Sequence, residues 1–458
     1  MQKPRAAVIL AAGQGTRMKS ATPKVLHKVG GKAMLDWAID LAAALGCSRT
    51  AVVVGPHAPE VGAHVTGRLG AGAAAVQDRP LGTAHAARAA EAALAGFEGD
   101  VVVFFVDTPL IRRETLAAMF AQREAGAGVV MLAFEAADPT GYGRIATDED
   151  GRFARNVEHK DASDAERAIA LCNAGALVAD KAVLFSLLTR VRDDNAQKEF
   201  YLTDVPGLAR SSGFPVEIVT ATEEEVLGVN SRVELAEAEA AFQQRRRIEA
   251  MLAGVTLIDP ASVYFSHDTE IGQDAVIEPG VYFGPGVRVA AGARVRAWSH
   301  LEGCEIGPEA SVGPFVRLRP GARLAARVKI GNFVEVKNAT FGEGAQASHL
   351  TYVGDAEIGA RANLGCGTIT CNYDGFDKYK TVIGEDAFIG SDTALVAPVK
   401  VGARAYTGSG SVITKDVPDG ALAVGRARQR DIEGWGDTFR AKKSAERAAR
   451  GGKRREVE

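Results

Sequence analysis

In the first half of the chain the apolar positions fall in short runs: Ala6–Leu10, Ala51–Val54, Ala73–Val76, Val101–Val106 and Val129–Phe134. Between the runs, in segments such as Met34–Leu45 and Thr83–Leu94, apolar residues recur every three to four positions. Short β-rich runs predict buried strands, and the longer periodicity predicts amphipathic helices. Their alternation predicts a Rossmann-like α/β domain with a mainly parallel sheet covered by helices on both faces. Ligands of such sheets bind at the carboxyl ends of the strands. The pattern changes after Val229. Ser231 and Glu234 have capping-box spacing, a charged helix is expected to about Leu252, and Gly254 is placed to end it.

From Gly254 onward the period is six. "IGQDAV", "IEPGVY", "FGPGVR", "VAAGAR" and "VRAWSH" follow one another without a gap from Ile271 to His300, and "IGPEAS", "LRPGAR", "LGCGTI" and "VGARAY" come later. An aliphatic residue opens most steps and glycine often stands second or fourth. These are hexapeptide repeats, which predict a left-handed parallel β-helix of roughly nine or ten triangular coils. The phase slips by one missing residue at "LEGCE", "VKNAT" and "VGDAE", and by one extra residue around "FDKYKTV". Breaks in a solenoid map to surface loops, which directs attention to Val336–Val382. The expected organisation is therefore a domain over 1–229, a connector helix over 230–253, a β-helix over 254–437, and a basic, polar, unstructured tail over 438–458.

A chain of 458 residues exceeds what one core usually holds, which agrees with this division. A net charge of −3 sets up no field for nucleic acid or a membrane surface. No apolar run reaches a membrane span and the N-terminus lacks a signal-peptide layout. Five cysteines without zinc-like spacing fit reduced thiols and a cytoplasmic location. Cys366 and Cys371 are expected to be small packing residues.

The loop behind the first strand, "LAAGQGTRM", carries Gly13 and Gly15 but has Met18 at the third fingerprint position, and it lacks the ending of a P-loop. Glycines that free backbone amides, with Arg17 and Lys24 nearby, suit a phosphate-bearing ligand.

This string, with "PKVLH", resembles the nucleotide-sugar pyrophosphorylases. Gln77 and "LGTAHA", "VDTPL", "GYGRI", "VEHKDA", "CNAG" and "GVNSR" follow in that family's order. The resemblance implies that Leu10, Ala11, Gly13 and Gly15 form the nucleotide loop and that Gln77, Gly82 and Thr83 hold uracil. Gly143, Glu158 and Asn173 would hold an amino sugar. Arg17 and Lys24 would stabilise phosphate charge, and Asp107 and Asn230 would hold one Mg²⁺, as hard oxygen ligands suit that ion. Val106 and Lys198 depart from the family, which commonly has glycine at both places.

The second half resembles acyltransferases built on left-handed β-helices that use acetyl-CoA. "SHLTY", "RLRPGA", "GNFVEVKN", "GTITCNYDG", "GSDTALVAP" and the arginine of "AVGRA" carry that likeness, with Ser348 where glycine is usual. An amine must lose a proton to attack a thioester, and histidine titrates in the useful range, so His349 is the expected base. By resemblance Glu335 orients it. Arg319, Lys337, Tyr352, Asn363 and Lys378 would bind a sugar phosphate, while Asn372, Tyr373, Ser391, Ser409 and Arg426 would line the acetyl-CoA groove.

Together the resemblances imply a homotrimeric enzyme of UDP-N-acetylglucosamine synthesis. Glucosamine-1-phosphate would be acetylated, and N-acetylglucosamine-1-phosphate would then take a uridylyl group from UTP. The rival expectation is a single-activity nucleotidyltransferase whose β-helix serves only assembly or regulation.

Overall fold

A computed structural model describes residues 3–449. The chain forms two compact units that divide between Gly303 and Cys304. In the first unit the main sheet runs Val216–Ala221, Val129–Glu135, Leu171–Asp180, Asp100–Phe105, Arg5–Leu10, Cys47–Val54 and Ala74–Val76, in that spatial order. It is parallel apart from Leu171–Asp180, which runs antiparallel to both neighbours, and a small hairpin, Arg144–Thr147 with Phe153–Val157. The two faces of Arg5–Leu10 feed separate cores. Ala7 and Ile9 pack with Leu35, Ile39, Met119 and Phe120 on one side. Ala6, Val8 and Leu10 pack with Ala84, Leu184 and Leu188 on the other. Alternate residues of one strand are thus buried twice over, which is why the run reads as continuously apolar.

The helix Arg232–Leu252 begins with Ser231 accepting from the Glu234 amide at 3.3 Å. The reciprocal half of the expected capping box is displaced by one residue, since the Glu234 carboxylate accepts from the Asn230 amide at 2.7 Å. Further along, Gln243 exchanges two hydrogen bonds with the Phe265 backbone, and the Arg247 guanidinium donates to the Val263 carbonyl. Phe242 is buried among Val29, Met34 and Leu110. These contacts tie residues 254–303 to the helix, so the compact unit extends past the point where the six-residue grammar starts.

The repeats build the left-handed β-helix, with one face three strands deep in the first unit and seven in the second. In the first unit Glu270 pairs with Arg288 and Tyr282 with His300, eighteen residues on in each case. In the second, Lys329 pairs with Gln346 and Glu335 with Tyr352, seventeen on, as the short steps require. The long step is larger than expected. Ala356 pairs with Thr381, twenty-five residues on, so about seven residues, not one, leave the coil as a loop. Val312, Ile330, Ala347, Leu364 and Ile389 stack inside the second unit with essentially no exposure. Each of these side chains except the small Ala347 contributes about 1.5–3 kcal/mol on burial.

From residue 435 the structure departs from the expected unstructured tail: Trp435–Ala449 is a helix, while 450–458 lie outside the described residues. No disulfide joins any of the five cysteines, and burial pushes the Cys47 thiol up to about 12. Cys366 and Cys371 are half-buried rather than packed in a core.

Candidate active sites

At the carboxyl ends of Arg5–Leu10 and Asp100–Phe105 lies a cleft of about 260 Å³. Its walls include Leu10, Ala11, Gly13, Lys24, Gln77, Gly82, Thr83 and Asp107, all singled out in the sequence. Gln14, Phe105 and Glu199 join them without having been foreseen. The Lys24 ammonium lies 2.6 Å from Asp107 Oδ2 and 2.9 Å from Asn230 Oδ1. Two hard oxygens 123 residues apart in the chain therefore already converge on one cation. That arrangement fits Mg²⁺, which takes few protein ligands and retains water. Among the described residues no cluster of three or more acidic, histidine or cysteine ligands exists.

Gly15 has φ +63°, and a Cβ there would stand 2.5 Å from Lys24 Cβ, so glycine is needed for the loop to lie on this lysine. Arg17, on the turn Thr16–Met18, is exposed and does not line the cleft. Arg232 was quoted within "GVNSR" but given no role. Its guanidinium donates to the Met18 carbonyl and reaches His27 Nδ1 at 3.3 Å, tying the glycine loop to the helix start beside Asn230. Burial and the Arg232 charge hold His27 below its usual range, leaving it a neutral acceptor.

Across the cleft the 81–84 loop is pinned to the 199–202 segment. Phe200 N donates to Leu81 O, Ala84 N to Phe200 O, and Leu202 N to Thr83 Oγ1. Gln77 donates to Gly82 O at 3.1 Å. Gly143, Glu158 and Asn173 meet beyond Phe105. Asn173 N donates to Gly143 O, Asn173 Nδ2 to Asn156, and the Thr203 hydroxyl to Glu158 at 2.7 Å. Next to Thr203, burial and the carboxylates of Glu158, Asp194 and Asp161 push Asp204 up to about 6.

Of the departures, Val106 is buried without a positive φ, so a side chain is accommodated there. Lys198 keeps φ +56°, the conformation that glycine would favour. Ser348 has no positive φ, but a Cβ on Gly331 would come 2.0 Å from the Ser348 carbonyl oxygen. Close approach of coils thus requires glycine at 331, not at 348.

In the second unit Arg319 and Lys337 lie in step on successive coils, each two residues beyond the pair Arg317↔Glu335. Lys378 comes from the looped-out segment, and its charge beside Lys337 lowers the Lys337 ammonium below its usual range. Lys337 and Lys378 thus crowd two like charges that a bound anion would relieve, whereas Arg319 already has a carboxylate partner in Glu335. Asp355 accepts from both Asn338 and Asn372, which fixes the buried Asn372 carboxamide. Tyr352 pairs with Glu335, and Tyr373 is exposed, its hydroxyl donating to Gly375 O. Asn363 belongs to the sheet that carries His349, not to the one that carries Lys337 and Tyr352.

His349, Ser391 and Ser409 stand one per coil along one edge. The pairs Gln346↔Asn363, Asn363↔Phe388 and Phe388↔Tyr406 put His349, Cys366, Ser391 and Ser409 in step, and Arg426 follows near Gly410. At about 4.8 Å per rung the line is roughly 20 Å long. Glu335 does not orient His349 here. Its carboxylate takes Arg319 at 2.9 Å and Arg317 at 3.8 Å, whereas His349 Nδ1 lies 2.7 Å from Asn332 Oδ1. Two permanent guanidinium charges hold that carboxylate away from the imidazole. Asn332 was missed, although a seventeen-residue coil would have pointed to it.

A nucleotide-type cleft on an α/β sheet and a hexapeptide prism with an edge-on histidine define a transferase with two sites. Residues 7–201 match the MobA-like NTP transferase domain, and residues 380–415 match the bacterial transferase hexapeptide (six repeats). Similar curated proteins include the "Bifunctional protein GlmU" of Caulobacter vibrioides, 54% identical over 97% of this chain and 96% of that protein. That of Sphingopyxis alaskensis is 52% identical over 97% and 99%, and that of Maricaulis maris 54% over 98% and 99%. The chain belongs to the GlmU family of bifunctional transferases.

Proposed function

We propose that the chain makes UDP-N-acetylglucosamine in two steps. Acetyl-CoA acetylates glucosamine-1-phosphate on the β-helix, and UTP then uridylylates N-acetylglucosamine-1-phosphate in the N-terminal cleft, releasing pyrophosphate. The functional limits are 1–229, with a connector over 230–253 and a prism over 254–437. The observation that carries the reading is the Lys24 ammonium seated between Asp107 and Asn230, facing the wall built by Gln77, Gly82 and Thr83.

In the cleft a sugar-phosphate oxygen attacks the α-phosphorus and the bond to the bridging oxygen breaks. The protein's task is alignment and charge neutralisation. Gln77, Gly82 and Thr83 hold the base, Gly143, Glu158 and Asn173 the amino sugar, and Lys24 the phosphate charge, with Arg17 reaching it only from the exposed turn outside the cleft. Asp107 and Asn230 would hold Mg²⁺, which when bound would neutralise phosphate oxygens. On the prism Arg319, Lys337 and Lys378 take the sugar phosphate, Tyr352 and Asn363 contact the sugar, and His349 accepts the amine proton. Asn372, Tyr373, Ser391, Ser409 and Arg426 line the thioester groove. Asn363 shares a sheet with His349, and a homotrimer through the β-helix completes the proposal. Five cysteines without a disulfide suit a reducing cytoplasm.

A scaffold-only β-helix has no use for a histidine with an ordered ring partner. The test is thiol release from acetyl-CoA with glucosamine-1-phosphate, alongside uridylyl transfer from UTP. His349→Ala is expected to lower thiol release by about 10²–10⁴-fold and leave uridylyl transfer intact. Absence of thiol release from the unaltered protein, with uridylyl transfer present, would establish the scaffold reading instead.

A further inference from the structure

We infer that Asn332 is the positioning residue that sets the tautomer of His349; the inference rests on the acetyltransferase reading of the prism. Asn332 ends the strand Lys329–Asn332 and His349 ends Gln346–His349, and the two residues are register partners on adjacent coils. The ring Nδ1 and the carboxamide oxygen are 2.7 Å apart. A carboxamide oxygen only accepts, so Nδ1 carries the hydrogen. A neutral imidazole has one N–H, and Nε2 therefore keeps its lone pair.

That is the tautomer a base requires. As the amine nitrogen bonds to the acetyl carbonyl carbon, its proton passes to Nε2. The carbon–sulfur bond breaks, and the imidazolium returns the proton to the departing thiolate. Proton and electron pairs balance without another reactant.

The backbone holds the pair in place from both sides. Leu350 N donates to the Asn332 carbonyl, the Thr351 hydroxyl donates to the His349 carbonyl, and beside the pair Gly331 leaves no room for a side chain against the Ser348 carbonyl. An amide orients the ring without adding charge, whereas a carboxylate there would favour imidazolium and withhold the base. The charged and titratable groups around the pair are few. Lys329 stands opposite Gln346, Cys366 is in step on the next coil, and Glu335 is occupied by Arg319 and Arg317.

The test is the pH dependence of thiol release by the full chain carrying Asn332→Ala or Asn332→Asp, with uridylyl transfer and the thermal transition measured in parallel. Asn332→Ala is expected to lose about ten- to a hundredfold in kcat, with little change in KM. Asn332→Asp, close to isosteric, is expected to move the acid limb of the profile to higher pH by about one unit or more. Unchanged profiles in both variants would overturn the inference, as would an Asn332→Asp that loses rate without moving the limb. Those outcomes leave His349→Ala inactive and the acetyltransferase reading standing. If the unaltered protein releases no thiol, that reading fails and takes this inference with it.

Discussion

Asp204 shows how one residue reports its surroundings. Its carboxyl is raised from 3.8 to about 6, so between those values the folded chain binds more protons than the unfolded one. Stability from this group is therefore highest below the unfolded value and falls as pH rises through about 6. Asp204→Asn is expected to melt with the unaltered protein at pH 4 and above it at pH 7.5. Equal shifts at both pH values would mean that charge is not the cause. Single residues were legible in the sequence where motifs named them, as with Lys24, Asp107 and Asn230. Asp204 and Arg232 were not, because their significance lies in neighbours far along the chain, Glu158 for one and Met18 for the other.

Elements obey local rules closely enough to test one at a time. Ser231 caps the Arg232–Leu252 helix, and Ser231→Ala is expected to cost about 1 kcal/mol in denaturant unfolding, Ser231→Gly only a few tenths. Equal costs for the two would show that the hydroxyl is not the source. The strands read as apolar runs were found, because burial on both faces leaves no alternation to misread. Leu171–Asp180 was overlooked as a strand, since its "CNAG" start reads as a motif and its antiparallel direction breaks the βα rhythm. The long coil illustrates a different limit. Seven extra residues and one extra residue shift a six-residue repeat by the same phase, so only the pairing of Ala356 with Thr381 reveals the true length of the loop.

At the scale of the whole molecule, the proposed trimer needs a surface. In the second unit Phe315, Phe333 and Leu350 stand in step on successive coils, each largely exposed, with the two phenylalanine rings stacked 5.4 Å apart. Water-facing apolar ladders of this kind favour association. Phe333→Glu is expected to sediment as a smaller species and to lose thiol release while retaining uridylyl transfer. A variant that stays trimeric would remove this ladder from the interface. Both resemblances pointed to the two candidate sites, whereas the side-chain partners inside each came from three-dimensional register. Glu335 and Asn332 are three residues apart, and only coil pairing distinguishes which one meets His349.

The edge that carries His349, Ser391, Ser409 and Arg426 advances one position per coil. It therefore works as a ruler graduated in steps of about 4.8 Å. Point substitutions recolour a mark on it, but only gain or loss of an entire turn alters the span between the reacting end and the arginine end. The length of thioester that the proposed groove can measure is accordingly a whole-number property of the chain.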